Sequence, residues 1–473
     1  MVITNIRKIT YSRSHYYHIC NHLIPFQLIT IFAARKTNKM PKKVAYISLG
    51  CKLNFSETSW IAQQFENAGY QRVDNHEQAD VVVVNTCTVT ELANKKSRQA
   101  IHKILNRNPE TILIAIGCYT QLKPDEVAAI QGVDYIFGSD NKMDLTDTIG
   151  NLQKQPKPVI SVSNESRIFE PIYSFGDRTR SFFKVQDGCD YFCAYCTIPH
   201  ARGRSRSNTV ERTVSVAREA VERGIREIVL TGVNIGDFGR ANGENLFQLL
   251  TELERIDGLK RLRISSIEPN LLTDQIIHYV ADSEVIMPHF HIPLQCGTDR
   301  LLSLMHRRYT TDFYARRIEL IKSLIPDACI AADVIVGVPT ESEADFADAC
   351  RFVRSLPLSY LHVFPYSERA NTLAVKMQMV PNEIRKHRSQ QMIAMGAEMT
   401  KVFIDSQIGK TRPVLFEGEH ASGEMCGFTD NYIKVKVQTN QNLVNQICKV
   451  ELLQPLGGDE MRGRIISDVG FRI

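Results

Sequence analysis

Three apolar, β-branched runs early in the 473-residue chain each end in a cysteine, and this pattern restricts the fold more tightly than any other feature. The run at 44–49 leads into Gly50-Cys51, the DVVVVN run at 80–85 into Thr86-Cys87, and the TILIAI run at 111–116 into Gly117-Cys118. Helical patterns at about 56–68 and 95–106 separate them. Runs apolar on both faces and separated by helices predict a parallel sheet with right-handed crossovers. The carboxyl ends of such strands share one edge, where α/β sheets bind ligands. Cysteines 36 and 31 residues apart are therefore expected to converge. Three thiolates suit an iron–sulfur cluster with one open iron, or zinc with an open position. The plain alternative is three ordinary buried cysteines.

A second cysteine group is local. Lys184-Val-Gln-Asp-Gly-Cys189-Asp-Tyr-Phe-Cys193-Ala-Tyr-Cys196 has the spacing C-x3-C-x2-C, directly after a strand-like run at 182–186. So short a loop can wrap its thiolates around three corners of a cubane and leave the fourth iron without a protein ligand. Zinc would more often bring two C-x2-C pairs or a histidine at typical spacing, and the nearby histidine is His200. Strand-like runs at 182–186, 227–233, 261–266, 289–294, 329–336 and 360–365 alternate with helical patterns. Six βα repeats predict a partial (β/α)6 barrel with its site at the carboxyl ends of the strands. Those ends carry Thr231-Gly232-Val-Asn234, Ser265-Ser266-Ile-Glu268, His291-Ile-Pro-Leu-Gln295 and Gly337-Val-Pro-Thr-Glu341.

After a helical stretch at 381–403, short strands at 412–416, 431–437, 449–453 and 461–467 are separated by Gly, Asn and Asp clusters. This predicts a small OB-like β-barrel. Tyr432 stands beside Lys434 and Lys436, as on an RNA-contacting face; a barrel that merely packs on the core is the alternative. Arg202, Arg204 and Arg206 follow the cysteine loop, and with Arg307 and Arg308 they are expected to hold phosphates at the mouth of the site.

Bulk charge does not support nucleic-acid binding. The formal net charge is +5, but six of the 57 basic side chains and no acidic one fall in residues 1–39, leaving 51 basic against 52 acidic. Residues 1–39 are expected to be an extension without a packed fold; Pro25 and Gln27 break the apolar run that a signal peptide would need. A cytoplasmic location is expected, because secretion would expose cluster ligands to an oxidising compartment.

The cysteine loop, with its flanks DGC and CAYCTIPHARGRSRS, resembles the signature of the radical-SAM superfamily. The three-cysteine α/β unit, the barrel and a TRAM-like terminal barrel together resemble the methylthiotransferases over about 42–473. That resemblance implies an N-terminal methylthiotransferase domain at 42–153, a radical-SAM core at 175–403 and a TRAM-like RNA-binding domain at 405–473. It implies two [4Fe-4S] clusters, on Cys51, Cys87 and Cys118 and on Cys189, Cys193 and Cys196, the latter three being catalytic. S-adenosylmethionine would be chelated by the open iron and cleaved to a 5′-deoxyadenosyl radical, with contacts from Tyr195, Thr231, Gly232, Asn234, Ser265, Ser266, Glu268, His291 and Gln295. The other cluster would carry a sulfur that a further S-adenosylmethionine methylates, and the methylthio group would be delivered to C2 of an adenine beside the anticodon.

The implied partners are tRNA, contacted by Arg202, Arg204, Arg206, Tyr432 and Lys434, and an electron donor such as flavodoxin or ferredoxin. Neither membrane nor DNA is implied, and a monomer is expected. Leu49-Gly-Cys51-Lys-Leu-Asn54-Phe-Ser-Glu57 and Ile198-Pro-His-Ala-Arg202-Gly-Arg204-Ser-Arg206-Ser207 resemble the branch acting on threonylcarbamoyl-adenosine more than those acting on isopentenyl-adenosine or a ribosomal-protein aspartate. Two departures stand out: Cys296 follows Gln295 where Ser is usual, and Gly337-Val-Pro-Thr-Glu341-Ser replaces GFPGET. A non-catalytic zinc- and RNA-binding protein is the rival reading from another class.

Overall fold

The computed structural model describes residues 41–75, 77–163, 169–176, 178–420 and 423–467; the extension expected at 1–39 lies outside the described residues. The strand Val81–Thr86 explains the first sheet, because all six of its residues are buried. Val81 and Val83 pack with Ile61 and Phe65, whereas Val82 and Val84 pack with Ile101 and Leu105. A strand apolar on alternate sides must be covered on both faces. Helix α1 (Lys52–Asn67) covers one face and helix α2 (Glu91–Arg107) the other.

The strands β1 (Lys43–Ser48), β2 (Gln71–Arg72), β3 (Val81–Thr86), β4 (Ile112–Gly117), β5 (Val133–Phe137) and β6 (Val159–Ser161) are parallel in the order β2-β1-β3-β4-β5-β6. The register sets Ser48 beside Asn85 and Thr86 beside Gly117. The three strands that precede the cysteines are thus neighbours and end at one edge.

A second unit holds β7 (Ile172–Tyr173), β8 (Arg180–Lys184), β9 (Gln186–Asp187), β10 (Arg206–Ser207), β11 (Glu227–Thr231), β12 (Arg261–Ile264), β13 (His289–His291), β14 (Cys329–Val336) and β15 (Tyr360–Pro365). β8, β11 and β12 pair in parallel, as do β13, β14 and β15. Parallel bridges at Leu262–Ile286 and Ser266–His291 join the two groups into a partial barrel. β7 runs antiparallel to β8 at the edge. β9 and β10 form a ribbon that pairs Arg206 with Asp187 across the ends of the cysteine loop.

Helices Val210–Glu222, Leu246–Glu254, Asp274–Asp282, Thr311–Leu324 and Glu343–Ser355 each start on a Thr, Asn or Ser that accepts from the third helical N–H. Such a cap contributes about 1 kcal/mol.

The C-terminal unit is a closed barrel of five strands, β16 (Thr411–His420), β17 (Glu424–Thr429), β18 (Lys434–Gln438), β19 (Ile447–Gly457) and β20 (Glu460–Ser467). Four strands were expected; β17 is hidden in the sequence because Gly427 interrupts its apolar run. That glycine is needed: a Cβ there would lie 2.4 Å from the Leu415 carbonyl oxygen.

The turn after β17 docks where the strands of the partial barrel begin. Arg261 donates to the carbonyls of Phe428 (2.9 Å) and Pro413 (2.8 Å), and Arg263 to those of Thr429 (2.8 Å) and Asp430 (2.6 Å). Among the described residues no helix is long and apolar enough to cross a membrane.

Candidate metal centres and the cleft they share

Each cysteine of the sheet sits just past a strand end. Gly50 (φ +97°) and Gly117 (φ +108°) turn the chain immediately before Cys51 and Cys118, in a backbone region that disfavours other residues. A Cβ on Gly50 would fall 2.7 Å from Cys87 Cβ and 2.8 Å from its Sγ, so the glycine lets Cys87 approach the β1 turn. The loop trio uses the same device. Gly188 has φ +70°, and a Cβ there would lie 1.9 Å from the Arg204 carbonyl oxygen. The Cys189 N–H donates to the Gly203 carbonyl at 3.1 Å, which closes the loop on the segment after it.

All six cysteines line one cleft of about 390 Å³, together with Tyr195, Gly232, Asn234, Ser266, Glu268, Gln295, Arg202, Arg307 and Asp333. Thr231 and Ser265 are buried and are not among the lining residues. His291 is half-buried and is turned to Asp333, with Nε2 to Oδ1 at 2.9 Å. These three expected residues therefore stand behind the wall and not in it. Gln295 holds a left-handed backbone (φ +64°), a strain that concentrates at functional sites. The Gly337–Glu341 loop is knotted on itself: Glu341 accepts from the N–H groups of Gly337 (2.6 Å) and Val338 (3.1 Å) and pairs with Arg388. Cys296 is buried in the barrel core, as a small apolar side chain would be.

The thiols have an environment that resists charging without a cation. Burial pushes Cys87 up to about 11 and Cys189 and Cys196 up to about 12, and it raises Cys193 as well. A metal centre inverts that preference, because its charge stabilises thiolates. Two arginines already point that way. Arg202 donates from Nε to Cys118 Sγ (3.2 Å), and Arg307 from Nη1 to Cys193 Sγ (3.1 Å). Arg307 is also paired with Glu268.

Arg202 belongs to a buried charge network that sequence reasoning missed. Glu57 meets Lys142 (2.7 Å), Lys184 (2.8 Å) and Arg202 (3.0 Å), and Asp187 meets Lys184 (2.6 Å), Arg202 (3.0 Å) and Arg206 (3.4 Å). Arg206 also binds Asp140 at 2.6 Å. Burial pushes the Glu57 and Asp187 carboxyls up, but the surrounding cations outweigh it and hold both below the ordinary range. Four cations thus face three carboxylates, and the excess positive charge lies against Cys118. That setting suits a thiolate bound in a cluster. Glu57 lies inside the GCKLNFSE motif and Asp187 inside the flank of the loop, but their pairing through the buried cations is set by packing alone.

The expected RNA contacts differ in their surroundings. Arg202 is almost wholly buried and Arg206 is held by two aspartates, so neither offers its charge to a phosphate. Tyr432 is stacked on His289, ring to ring at 4.2 Å, beneath the barrel, and Lys434 is paired with Glu460 at 2.5 Å. Arg204 is the most exposed of the three arginines, its side chain 70% exposed, and it meets Asp190 at 3.2 Å. Arg308 lies over the Tyr191 ring at 3.9 Å.

Residues 43–138 match the family described as "Uncharacterized protein family UPF0004", and residues 183–353 match the radical SAM superfamily. The chain is 38% identical over 422 residues to the threonylcarbamoyladenosine tRNA methylthiotransferase MtaB of Bacillus subtilis, covering 87% of this chain and 94% of the relative. It is 38% identical to the protein of the same name from Aquifex aeolicus, covering 83% and 96%. Identity to the tRNA-2-methylthio-N(6)-dimethylallyladenosine synthase of Carboxydothermus hydrogenoformans is 31%, covering 88% and 98%. Among solved structures, the radical S-adenosylmethionine methyltransferase TsrM from Kitasatospora setae shares the fold at TM-score 0.51 and 14% identity, covering 68% of this chain and 72% of that one.

Proposed function

We infer the activity from a premise now in hand: the chain belongs to the radical-SAM methylthiotransferases, in the group that acts on threonylcarbamoyladenosine in tRNA. Its reaction is the insertion of a methylthio group at C2 of that nucleoside, beside the anticodon. Its cofactors are S-adenosylmethionine and [4Fe-4S] clusters, which supply, when bound, one-electron cleavage of S-adenosylmethionine and a sulfur site for methyl transfer. The observation that carries this reading is that both cysteine trios open onto one cleft in a chain that matches its relatives over most of their length.

In our reading Cys189, Cys193 and Cys196 hold the cluster that binds S-adenosylmethionine, and Cys51, Cys87 and Cys118 hold the second. Arg307 sets its guanidinium against Cys193 of the one trio and Arg202 against Cys118 of the other, which favours the charged form. Tyr195, Gly232, Asn234, Ser266, Glu268 and Gln295 form the wall that orients S-adenosylmethionine. An aromatic C–H at C2 is too inert for acid–base chemistry, so the chain's task is to seat the base within reach of both trios and to exclude water. We read 42–153, 175–403 and 405–473 as the three domains. The last is TRAM-like, and Arg204 is the phosphate contact that fits its exposure. A flavodoxin- or ferredoxin-type donor, a monomer and a cytoplasmic location complete the proposal.

Mass spectrometry of tRNA nucleosides from cells lacking the protein tests it. The methylthio derivative of threonylcarbamoyladenosine should vanish alone. Loss of the isopentenyl derivative instead would move the chain to the other tRNA branch.

A further inference from the structure

One polar cluster in the barrel has no part in holding either cysteine trio. His291 on β13, Asp333 on β14 and His362 on β15 lie side by side, with ligating atoms all within 4.8 Å of one another. His291 Nε2 is 2.9 Å from Asp333 Oδ1, and its ring meets that of His362 edge-on at 5.3 Å. Asp333 is the member of the cluster that lines the cleft of the cysteines. Lys52, the residue after Cys51, comes from the other side. It lies within electrostatic reach of the Tyr432 phenol, of Asp333 and of His362, and among the described residues its side chain makes no hydrogen bond or ion pair. The His362 ring makes no hydrogen bond among them either.

Arg180, paired with Glu417, and Arg263, paired with Glu227, also lie within electrostatic reach of Lys52, as does the Tyr432 phenol. A metal ion would find the same trio of ligand atoms, but it would meet the Lys52 ammonium. An anion would not meet that objection. A half-buried lysine without a partner is costly unless a ligand supplies the counter-charge.

We propose that Lys52, His291, His362 and Asp333 form the subsite for the threonyl group on the substrate base. This rests on the reading that the substrate is threonylcarbamoyladenosine. The substituent leaves the ring at N6, away from C2, and carries a carboxylate, a hydroxyl and urea N–H groups. The carboxylate accepts hydrogen bonds from Lys52 and His362. Asp333 accepts from the hydroxyl or the urea, and His291 holds Asp333 in place. An apolar isopentenyl group offers none of these partners, and it would leave the lysine without a counter-charge.

The test uses the anaerobic holoenzyme with both clusters and three anticodon stem–loop RNAs. One carries threonylcarbamoyladenosine, one its methyl ester and one isopentenyladenosine. Affinity is read by fluorescence anisotropy, and KM and kcat by nucleoside mass spectrometry. The wild type should bind the acid about ten- to a hundredfold more tightly than the ester, the range expected for losing a charged hydrogen bond. Lys52→Met and His362→Leu should each bring that ratio close to one by weakening the acid alone, with His362→Gln retaining part of it.

Equal affinity for acid and ester overturns the proposal, as does an equal loss of both in the variants. A divalent ion retained beyond the cluster irons and lost in His362→Leu overturns it as well. A wild type that modifies only the isopentenyl RNA sinks the functional reading and this proposal together. One that modifies acid and ester with the same KM sinks the proposal alone.

Discussion

The two cysteine trios do the same coordination work from opposite directions. The loop trio is assembled within eight residues and needs only a turn, a ribbon and one glycine at Gly188. The sheet trio is assembled from three strand ends, and its geometry exists only when β1, β3 and β4 are paired in register. One trio is therefore a property of a peptide segment and the other of a fold. Damage to the sheet should remove the second without touching the first, and Arg202, which bridges Cys118 to the network under the loop, should be the place where that independence ends.

The largest effect should come from the cysteines. Cys193→Ala should abolish both S-adenosylmethionine cleavage and methylthiolation, while Cys51→Ala should abolish methylthiolation and keep cleavage, as read by 5′-deoxyadenosine release and nucleoside mass spectrometry. Cleavage lost in both would erase the distinction between the trios.

Arg202→Met comes next. Breaking a buried ion-pair network by removing one partner costs about 3–5 kcal/mol, so the variant should unfold at clearly lower denaturant concentration. A change below 1 kcal/mol would show that the network relaxes around the loss.

Gly50→Ala should be selective. It puts a side chain on a left-handed backbone, at about 1–2 kcal/mol, and drives its Cβ against Cys87. Reconstituted iron should fall from about eight to about four per chain, one cubane's worth, with S-adenosylmethionine cleavage retained. Gly188→Ala, at 1.9 Å from the Arg204 carbonyl, should do the converse. Iron lost from both centres in either variant would mean that the trios are not separable.

The smallest effect is expected from Arg204→Ala. Affinity for tRNA should drop a few-fold, uniformly across sequences, and the salt dependence of binding should flatten by about one phosphate contact. Unchanged salt dependence would remove Arg204 from the RNA path.

What could be read from the sequence follows the same division. C-x3-C-x2-C is legible because its information is local, and the sheet trio is legible because parallel topology makes three strand ends equivalent. The strands Cys329–Val336 and Tyr360–Pro365 fall where the apolar runs place them. The charge network was not legible, because Glu57, Lys142, Lys184, Asp187 and Arg202 each look like solvated side chains until packing brings them together. Arg202 and Tyr432 were misplaced for a related reason. An arginine run near a site and an aromatic among lysines look like surface chemistry, and composition cannot say which side chains turn inward. Asp333 and His362 were overlooked because single polar residues within apolar strands give no periodic signal.

The docking of the C-terminal barrel has a consequence for dissection of the enzyme. Its turn at 428–432 covers the end of the partial barrel opposite the cysteines, with Tyr432 against His289 and backbone carbonyls satisfying Arg261 and Arg263. Deleting 405–473 would therefore take away a floor as well as an RNA module. It would strand two buried guanidiniums on one carboxylate and open a water path into a chamber built for radicals, so a truncated enzyme should be a leaky reactor and not merely one blind to tRNA.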